Sequence, residues 1–172
     1  LDSNGKEIIP VGIFIEKTSN SGNDSRVLIT DSTLTGGSVP AFAIFHQGSQ
    51  NLQVTVDDGT EICNESDHWE TVALDLLSDA SGKVELDFKN TKITNKGSGP
   101  ALGFANAPGN ISNMDINLAE AVLRTKGDYP VAYQNGFDEN GWPIWENAIP
   151  QTQDEESPEE VSSSEPLSDE EK

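Results

Sequence analysis

Acidic side chains dominate the chemistry this sequence can offer. Thirty Asp and Glu stand against ten Lys and Arg, a formal net charge of −20 at pH 7. A subset is spaced to act together. In Val84-Glu85-Leu86-Asp87-Phe88, strand alternation turns Val84, Leu86 and Phe88 to one face and Glu85 and Asp87 to the other. Related stretches supply Thr55 and Asp57, then Asp115 and Asn117. Stacking these stretches predicts Asp57 near Asp87 and Glu85 near Asp115, about 5 Å apart. Like charges so placed repel. They can splay into solvent, bind a hard cation such as Ca²⁺ through their oxygens, or hold one carboxyl protonated as a general acid. Asp57, Glu85, Asp87 and Asp115 are therefore the candidate metal ligands, with Ca²⁺ as the cofactor they would take.

A second chemistry is aromatic. Residues 129–150 hold both tyrosines and two of the three tryptophans. Trp142, Trp145 and Tyr133 are candidate ligand-binding residues, because such rings stack on sugar faces while offering a polar tip. The competing reading makes Trp142, Ile144, Trp145 and Ile149 a cap over the end of the fold. Other reactive groups carry less. His46 and His68 have no zinc-ligand spacing and read as a strand-end and a loop residue. Cys63 is the single cysteine, which excludes an internal disulfide, and reads as a small core residue. Asp2-Ser3-Asn4-Gly5 begins like a calcium loop but lacks its later ligands. Asn23-Asp24-Ser25, Asn64-Glu65-Ser66 and Asn110-Ile111-Ser112 are glycosylation sequons of the kind an Asn- and Ser-rich chain contains by chance.

The elements that must position these groups follow from an internal repeat. Pro10, Pro40, Pro100 and Pro130 fall at multiples of thirty, with Glu70 in the remaining place. After each marker the chain alternates apolar positions, giving a predicted column Phe14, Ile44, Leu74, Phe104. A second strand recurs as Val54 and Val56, then Val84, Leu86 and Phe88, then Met114, Ile116 and Leu118, with Val27 and Ile29 displaced by about three residues. A third is marked by Leu34, Cys63, Ile93 and Leu123. Gly-containing turns such as Asn95-Lys96-Gly97 and Thr125-Lys126-Gly127 precede the markers. Three short strands per thirty residues predict an all-β fold, a parallel β-helix solenoid of about four coils. A β-sandwich shares the strand spacing but not the common register of three columns.

This pattern over residues 8–123 resembles the right-handed, pectate-lyase-like β-helix superfamily, which includes polysaccharide lyases, glycoside hydrolases and bacterial surface adhesins. The resemblance implies a polysaccharide or surface-protein partner and an Asn ladder at one turn, whose equivalents are Gln50, Ala80 and Asn110. It implies, for a lyase, a base beside a calcium-bound uronate. Arg26, Arg124 and the lysines are the available bases, and none aligns with the acidic columns.

Composition narrows the rest. So few cations exclude phosphate-neutralising contact with nucleic acid and argue against anionic membranes. No apolar run approaches the roughly 18 residues of a membrane helix. The opening at Leu1 reads as a cut from a longer chain. Residues 1–128 are predicted as coils, 129–150 as a C-terminal capping segment, and 151–172 as a disordered acidic tail or linker with nothing to bury. The expected function is a non-enzymatic extracellular or cell-surface segment with a carbohydrate-binding, adhesive or stalk role. The alternative is a fragment of a polysaccharide lyase or glycoside hydrolase using the carboxylate and Ca²⁺ patch.

Overall fold

The computed structural model describes residues 12–17, 22–76, 81–105 and 114–148. All described elements are strands: β1 Ile13–Lys17, β2 Ser25–Thr30, β3 Thr33–Thr35, β4 Phe42–His46, β5 Leu52–Asp57, β6 Glu61–Asn64, β7 Val72–Leu76, β8 Val84–Phe88, β9 Thr91–Asn95, β10 Leu102–Phe104, β11 Met114–Asn117, β12 Ala121–Arg124, β13 Val131–Phe137 and β14 Pro143–Asn147. From β4 to β13 each strand pairs in parallel with the strand three places earlier, and β14 adds antiparallel to β13. Sheet A runs β1-β4-β7-β10-β13-β14, sheet B runs β2-β5-β8-β11, and sheet C runs β3-β6-β9-β12. The chain is a parallel β-solenoid, completing three turns between β1 and β10. The acidic tail, Ile149, Asp2–Gly5, Asn110–Ser112 and Ala80 lie outside the described residues.

One coil has nothing to cover its inward face, so burial comes from stacking. Sheet A contributes Phe42 and Ile44, Val72 and Leu74, Leu102 and Phe104; sheet B contributes Leu52, Val54, Val56, Val84, Leu86 and Phe88; sheet C contributes Ile62 and Ile93. All join one apolar cluster. At roughly 1.5–3 kcal/mol for each fully buried side chain, this column is the main stabilising term.

The thirty-residue spacing holds from the third coil to the fourth, where Val84 faces Met114 and Thr91 faces Ala121. It also holds in sheet A, from Phe42 to Val72 and on to Leu102, and departs by one to three residues in the remaining pairings. In β1, Ile13 and Ile15 pair with Phe42 and Ile44, while Phe14 pairs with Ala43. Phe14 therefore points outward and is 55% exposed, contrary to its predicted place in the core column. In sheet C, Leu34 pairs with Ile62 and Ile62 with Ile93. Cys63 thus leaves the predicted column and faces outward, its Sγ 3.6 Å from Thr35 Oγ1. Two turns combine to cause it: the link from β7 to β8 is two residues longer than that from β4 to β5, and the corner that follows β8 is one residue shorter than the one that follows β5. The turns from sheet B to sheet C place Asp31, Asp58 and Asn90 at positive φ, a conformation Asp and Asn tolerate better than most. The second coil follows Asp58 with Gly59, also at positive φ, where the other two corners go on directly to Ser32 and Thr91. That added glycine shifts sheet C by one position.

A buried polar ladder fixes another corner. Asn64 Nδ2 donates to the carbonyl of Glu70 at 2.9 Å and its Oδ1 accepts from Thr71 Oγ1 at 2.6 Å. One coil on, Asn95 Oδ1 accepts from the Ser66 and Gly97 amides, and its Nδ2 donates to the Trp69 carbonyl at 2.8 Å. Thr125 Oγ1 continues the row by donating to the Gly99 carbonyl at 2.6 Å. A ladder thus stands at Asn64 and Asn95, which face each other between β6 and β9; of the positions where the resemblance implies one, Ala80 and Asn110 lie outside the described residues. It ties down the turn at residues 65–71, on which the aromatic contacts below depend.

The relocated first coil gives a direct test. Leu74→Ala removes a buried column residue and is expected to cost about 2–5 kcal/mol in urea unfolding. Phe14→Ala is expected to change stability by about 0.5 kcal/mol or less; a loss comparable to that of Leu74→Ala would place Phe14 back in the core.

Candidate functional site

Two surfaces carry the predicted chemistry: the outer face of sheet B, with the acidic residues, and the outer face of sheet A, with the aromatic ones.

On sheet B the outward rows are set by register. Arg26 faces Gln53, Gln53 faces Glu85, and Glu85 faces Asp115. The next row is Leu28, Thr55, Asp87 and Asn117. Two more residues separate β7 from β8 than separate β4 from β5, so the predicted stacking of Asp57 on Asp87 does not occur. Thr55 takes that place, and Asp57 pairs with Thr30. Only Glu85 and Asp115 remain stacked as acids. The carboxylates are also neutralised locally. Lys83 Nζ lies 2.6 Å from Glu85, Lys89 Nζ lies 2.8 Å from Asp87, and Asn117 Nδ2 donates to Asp87 at 3.0 Å. The ammonium pKa values of Lys83 and Lys89 rise through hydrogen bonds to Glu85 and Asp87 respectively. Lys92 pairs with Glu61 on sheet C. Among the described residues, no three His, Cys, Asp or Glu converge to hold a metal ion.

The same face is concave. One hollow of about 350 Å³ is lined by Asp24, Arg26, Asn51, Gln53, Lys83 and Glu85, among others. A second, of about 280 Å³, is lined by Gln53, Glu85, Asp87, Asp115 and Asn117 with Leu86. They share Gln53 and Glu85 and form one polar trough across the coils. Its upper edge is stiffened by Asp24, whose carboxylate accepts from the Asn51 backbone amide and from Asn51 Nδ2, both at 3.0 Å. These bonds hold Asp24 below the usual carboxylate range. Asn51 Oδ1 in turn accepts from the Lys83 amide at 2.8 Å. These groups, Asp24, Asn51 and Gln53, were not among the predicted site residues. Their signal was spacing that only the true coil lengths reveal.

On sheet A the three predicted aromatic residues separate. Tyr133 continues the inward column beyond Phe104 and packs against the core. Its hydroxyl donates to Glu146 Oε2, and Asn135 Nδ2 donates to Glu146 Oε1. Those bonds, Tyr133 first, hold the Glu146 carboxyl low. Trp145 and Trp142 lie on the outer side. β14 runs antiparallel to β13 and carries Trp145 back over β10, where the ring edge would stand 2.8 Å from a Cβ at Gly103. Trp145 Nε1 donates to the His68 carbonyl at 2.7 Å. Trp142 stacks on the His68 ring, centroids 4.1 Å apart, with Trp69 edge-on at 6.3 Å. The small outward strip formed by Ala43, Ala73 and Gly103 is therefore covered at its Gly103 end by the C-terminal hairpin. Trp142 remains 38% exposed. A shallow cleft of about 220 Å³ beside Trp145 is lined by Ser98, Pro100, Gly127, Asp128 and Tyr129.

Under this aromatic cover lies Glu70. It fills the marker position held by proline in neighbouring coils, and its Cβ lies 2.9 Å from where a Gly103 Cβ would be. Its Oε2 is buried without a hydrogen-bond partner. Burial raises its pKa to about 7, opposed only by a bond from its own backbone amide. His46, at the inner end of β4, is also fully buried; one ring nitrogen meets the Gln50 carbonyl at 2.9 Å, and Nδ1 has no partner.

No family model, curated protein or solved structure matches this chain.

Two outcomes are expected. Gly103→Ala puts a methyl group into the Trp145 ring and the Glu70 side chain; overpacking of this kind costs about 1–3 kcal/mol, and tryptophan emission should shift to the red as Trp145 is displaced. The raised pKa of Glu70 gives stability that is fully present below its unfolded value of 4.5 and lost as pH rises to about 7. Glu70→Gln should remove that component, so the difference in unfolding free energy between the two proteins should change by up to about 3 kcal/mol between those pH values.

Proposed function

We propose that this chain is a non-enzymatic β-solenoid segment of an extracellular or cell-surface protein, a divergent relative of the pectate-lyase-like β-helices, and that it binds carbohydrate along the outer face of sheet B. The observation that carries this reading is the shared trough: two hollows joined at Gln53 and Glu85, running across successive strands. Its walls present an amide, carboxylate or guanidinium group at each coil, repeating at about 4.8 Å. Such a row suits an extended polymer rich in hydroxyl groups, which pairs with mixed donors and acceptors. Acidic groups already paired with Lys83 and Lys89 serve as fixed acceptors and not as a repelling cluster. The stacking of Glu85 on Asp115 alone, without Asp57 on Asp87, gives less support to carboxylate catalysis. The aromatic residues are spent on intramolecular contacts, which favours sheet B over the hairpin as the binding face.

The test is a polysaccharide array followed by calorimetric titration. Removing two hydrogen-bonding side chains, Gln53→Ala with Asn117→Ala, is expected to weaken binding roughly tenfold or more, at about 1 kcal/mol each. Trp142→Ala is expected to leave affinity unchanged. Binding that survives the double substitution but is lost in Trp142→Ala would move the site to the hairpin, and failure to bind any glycan would overturn the reading.

A further inference from the structure

The hairpin of β13 and β14 closes over a buried carboxyl group with one unpaired oxygen, Glu70 Oε2. The seat is built from three directions. The turn at residues 65–71 supplies Glu70 and the His68 carbonyl; β10 supplies Gly103, whose missing side chain makes room; β14 supplies the Trp145 ring and its Nε1 donor. Relative exposure of Glu70 is 8%. A buried carboxyl with one unpaired oxygen is tolerated as the neutral acid and is costly as the anion.

We propose that the β13–β14 hairpin is a proton-controlled latch: it closes over neutral Glu70 and is released when Glu70 ionises. The charged and titratable groups on the surrounding elements do not supply an alternative partner. On its own turn and the strand that follows these are Glu65, Asp67, His68 and Asp75; on the adjoining turns, Lys96, Lys126, Asp128 and Tyr129; on the hairpin, Tyr133, Asp138, Glu139 and Glu146. No ion pair among the described residues includes Glu70, and burial is the leading influence on its titration, with no charge contributing. Asp138 has other engagements: its carboxylate accepts from the amides of Asn140 and Trp142. Glu146 is held by Tyr133 and Asn135. Asp138 also responds to the charge of His68 across the closed hairpin, so the variant at Glu70 is what separates the two groups; at the seat itself, Glu70 is the group buried with an unpaired oxygen.

The latch has a defined hinge side. Its far end is the Asp138–Trp142 turn, and its attachment to the solenoid is the ladder of β13 on β10. Opening would lift Trp145 and Trp142 from His68 and uncover the Ala73 and Gly103 strip while leaving the Asn64 and Asn95 ladder intact. It is a local event of low cost compared with unfolding the coils.

The experiment is hydrogen–deuterium exchange of the full chain from about pH 5 to about pH 9, corrected for intrinsic base catalysis. An open state in which Glu70 titrates normally requires latch protection to fall by up to about tenfold per pH unit as pH rises towards 7, then to level off. The expected result is that fall in the β14 amides, no such fall in the β5–β8 amides, and a flat profile in Glu70→Gln. The carboxyl ¹³C shift of Glu70 in the unaltered protein, which needs no variant to fold, should titrate at the pH where the fall levels off. An ordinary carboxylate midpoint, a flat profile in the unaltered protein, or the same fall in Glu70→Gln would each overturn the proposal, the last assigning the transition to His68 or Asp138. Glycan binding on sheet B does not enter any of these readouts.

Discussion

The parallel ladder between coils is the constraint on which the molecule depends. Once β4 is bonded to β1 and β7 to β4, equivalent residues are held about 4.8 Å apart, and every choice at one level is imposed on the next. Apolar residues at inward positions then make one continuous column, and no coil is stable without its neighbours. The same rule acts on the outer faces. It converts Arg26, Gln53, Glu85 and Asp115 into a row, and it makes a shift of one residue in any turn visible along a whole sheet.

Turns absorb the variation that strands cannot. The added Gly59 and the longer link between β7 and β8 leave strand pairing intact while moving side chains by one or two positions. Buried side-chain amides keep such turns in place. Asn64 and Asn95 satisfy backbone groups in successive corners, and leaving those groups unpaired would cost about 1–3 kcal/mol apiece. The corner they hold presents His68, Trp69 and Glu70 on the outer side of sheet A, where the hairpin meets them. A structural ladder and the seat of the latch are thus the same piece of chain.

The two outer faces treat charge in opposite ways. On sheet B the Glu85 and Asp87 carboxylates stay at the surface, each paired with a lysine two residues away in the chain, and such exposed pairs contribute little to stability. On sheet A the Glu70 carboxyl is taken out of water with one oxygen unpaired, and in the proposed latch its protonation is coupled to structure. Among the described residues the acidic groups of sheet B thus lie at the surface, and Glu70 is the one buried under the hairpin.

The sequence by itself determined the class of fold. Alternation within strands and a spacing near thirty residues were enough to specify three strands per coil, parallel stacking and most of the core, because inward apolar residues recur whatever the turns do. It also marked Asn95-Lys96-Gly97 and Thr125-Lys126-Gly127 as corners, although not the ladder within them. What only the tertiary structure decided was register. Counting at a fixed thirty put Phe14 and Cys63 inside and Asp57 against Asp87, because periodicity cannot tell a turn of three residues from a turn of four. It could not foresee that β14 would fold back antiparallel, split Tyr133 from Trp145 and bury Glu70. Those outcomes depend on contacts between residues far apart in the chain, and local pattern carries no record of such contacts.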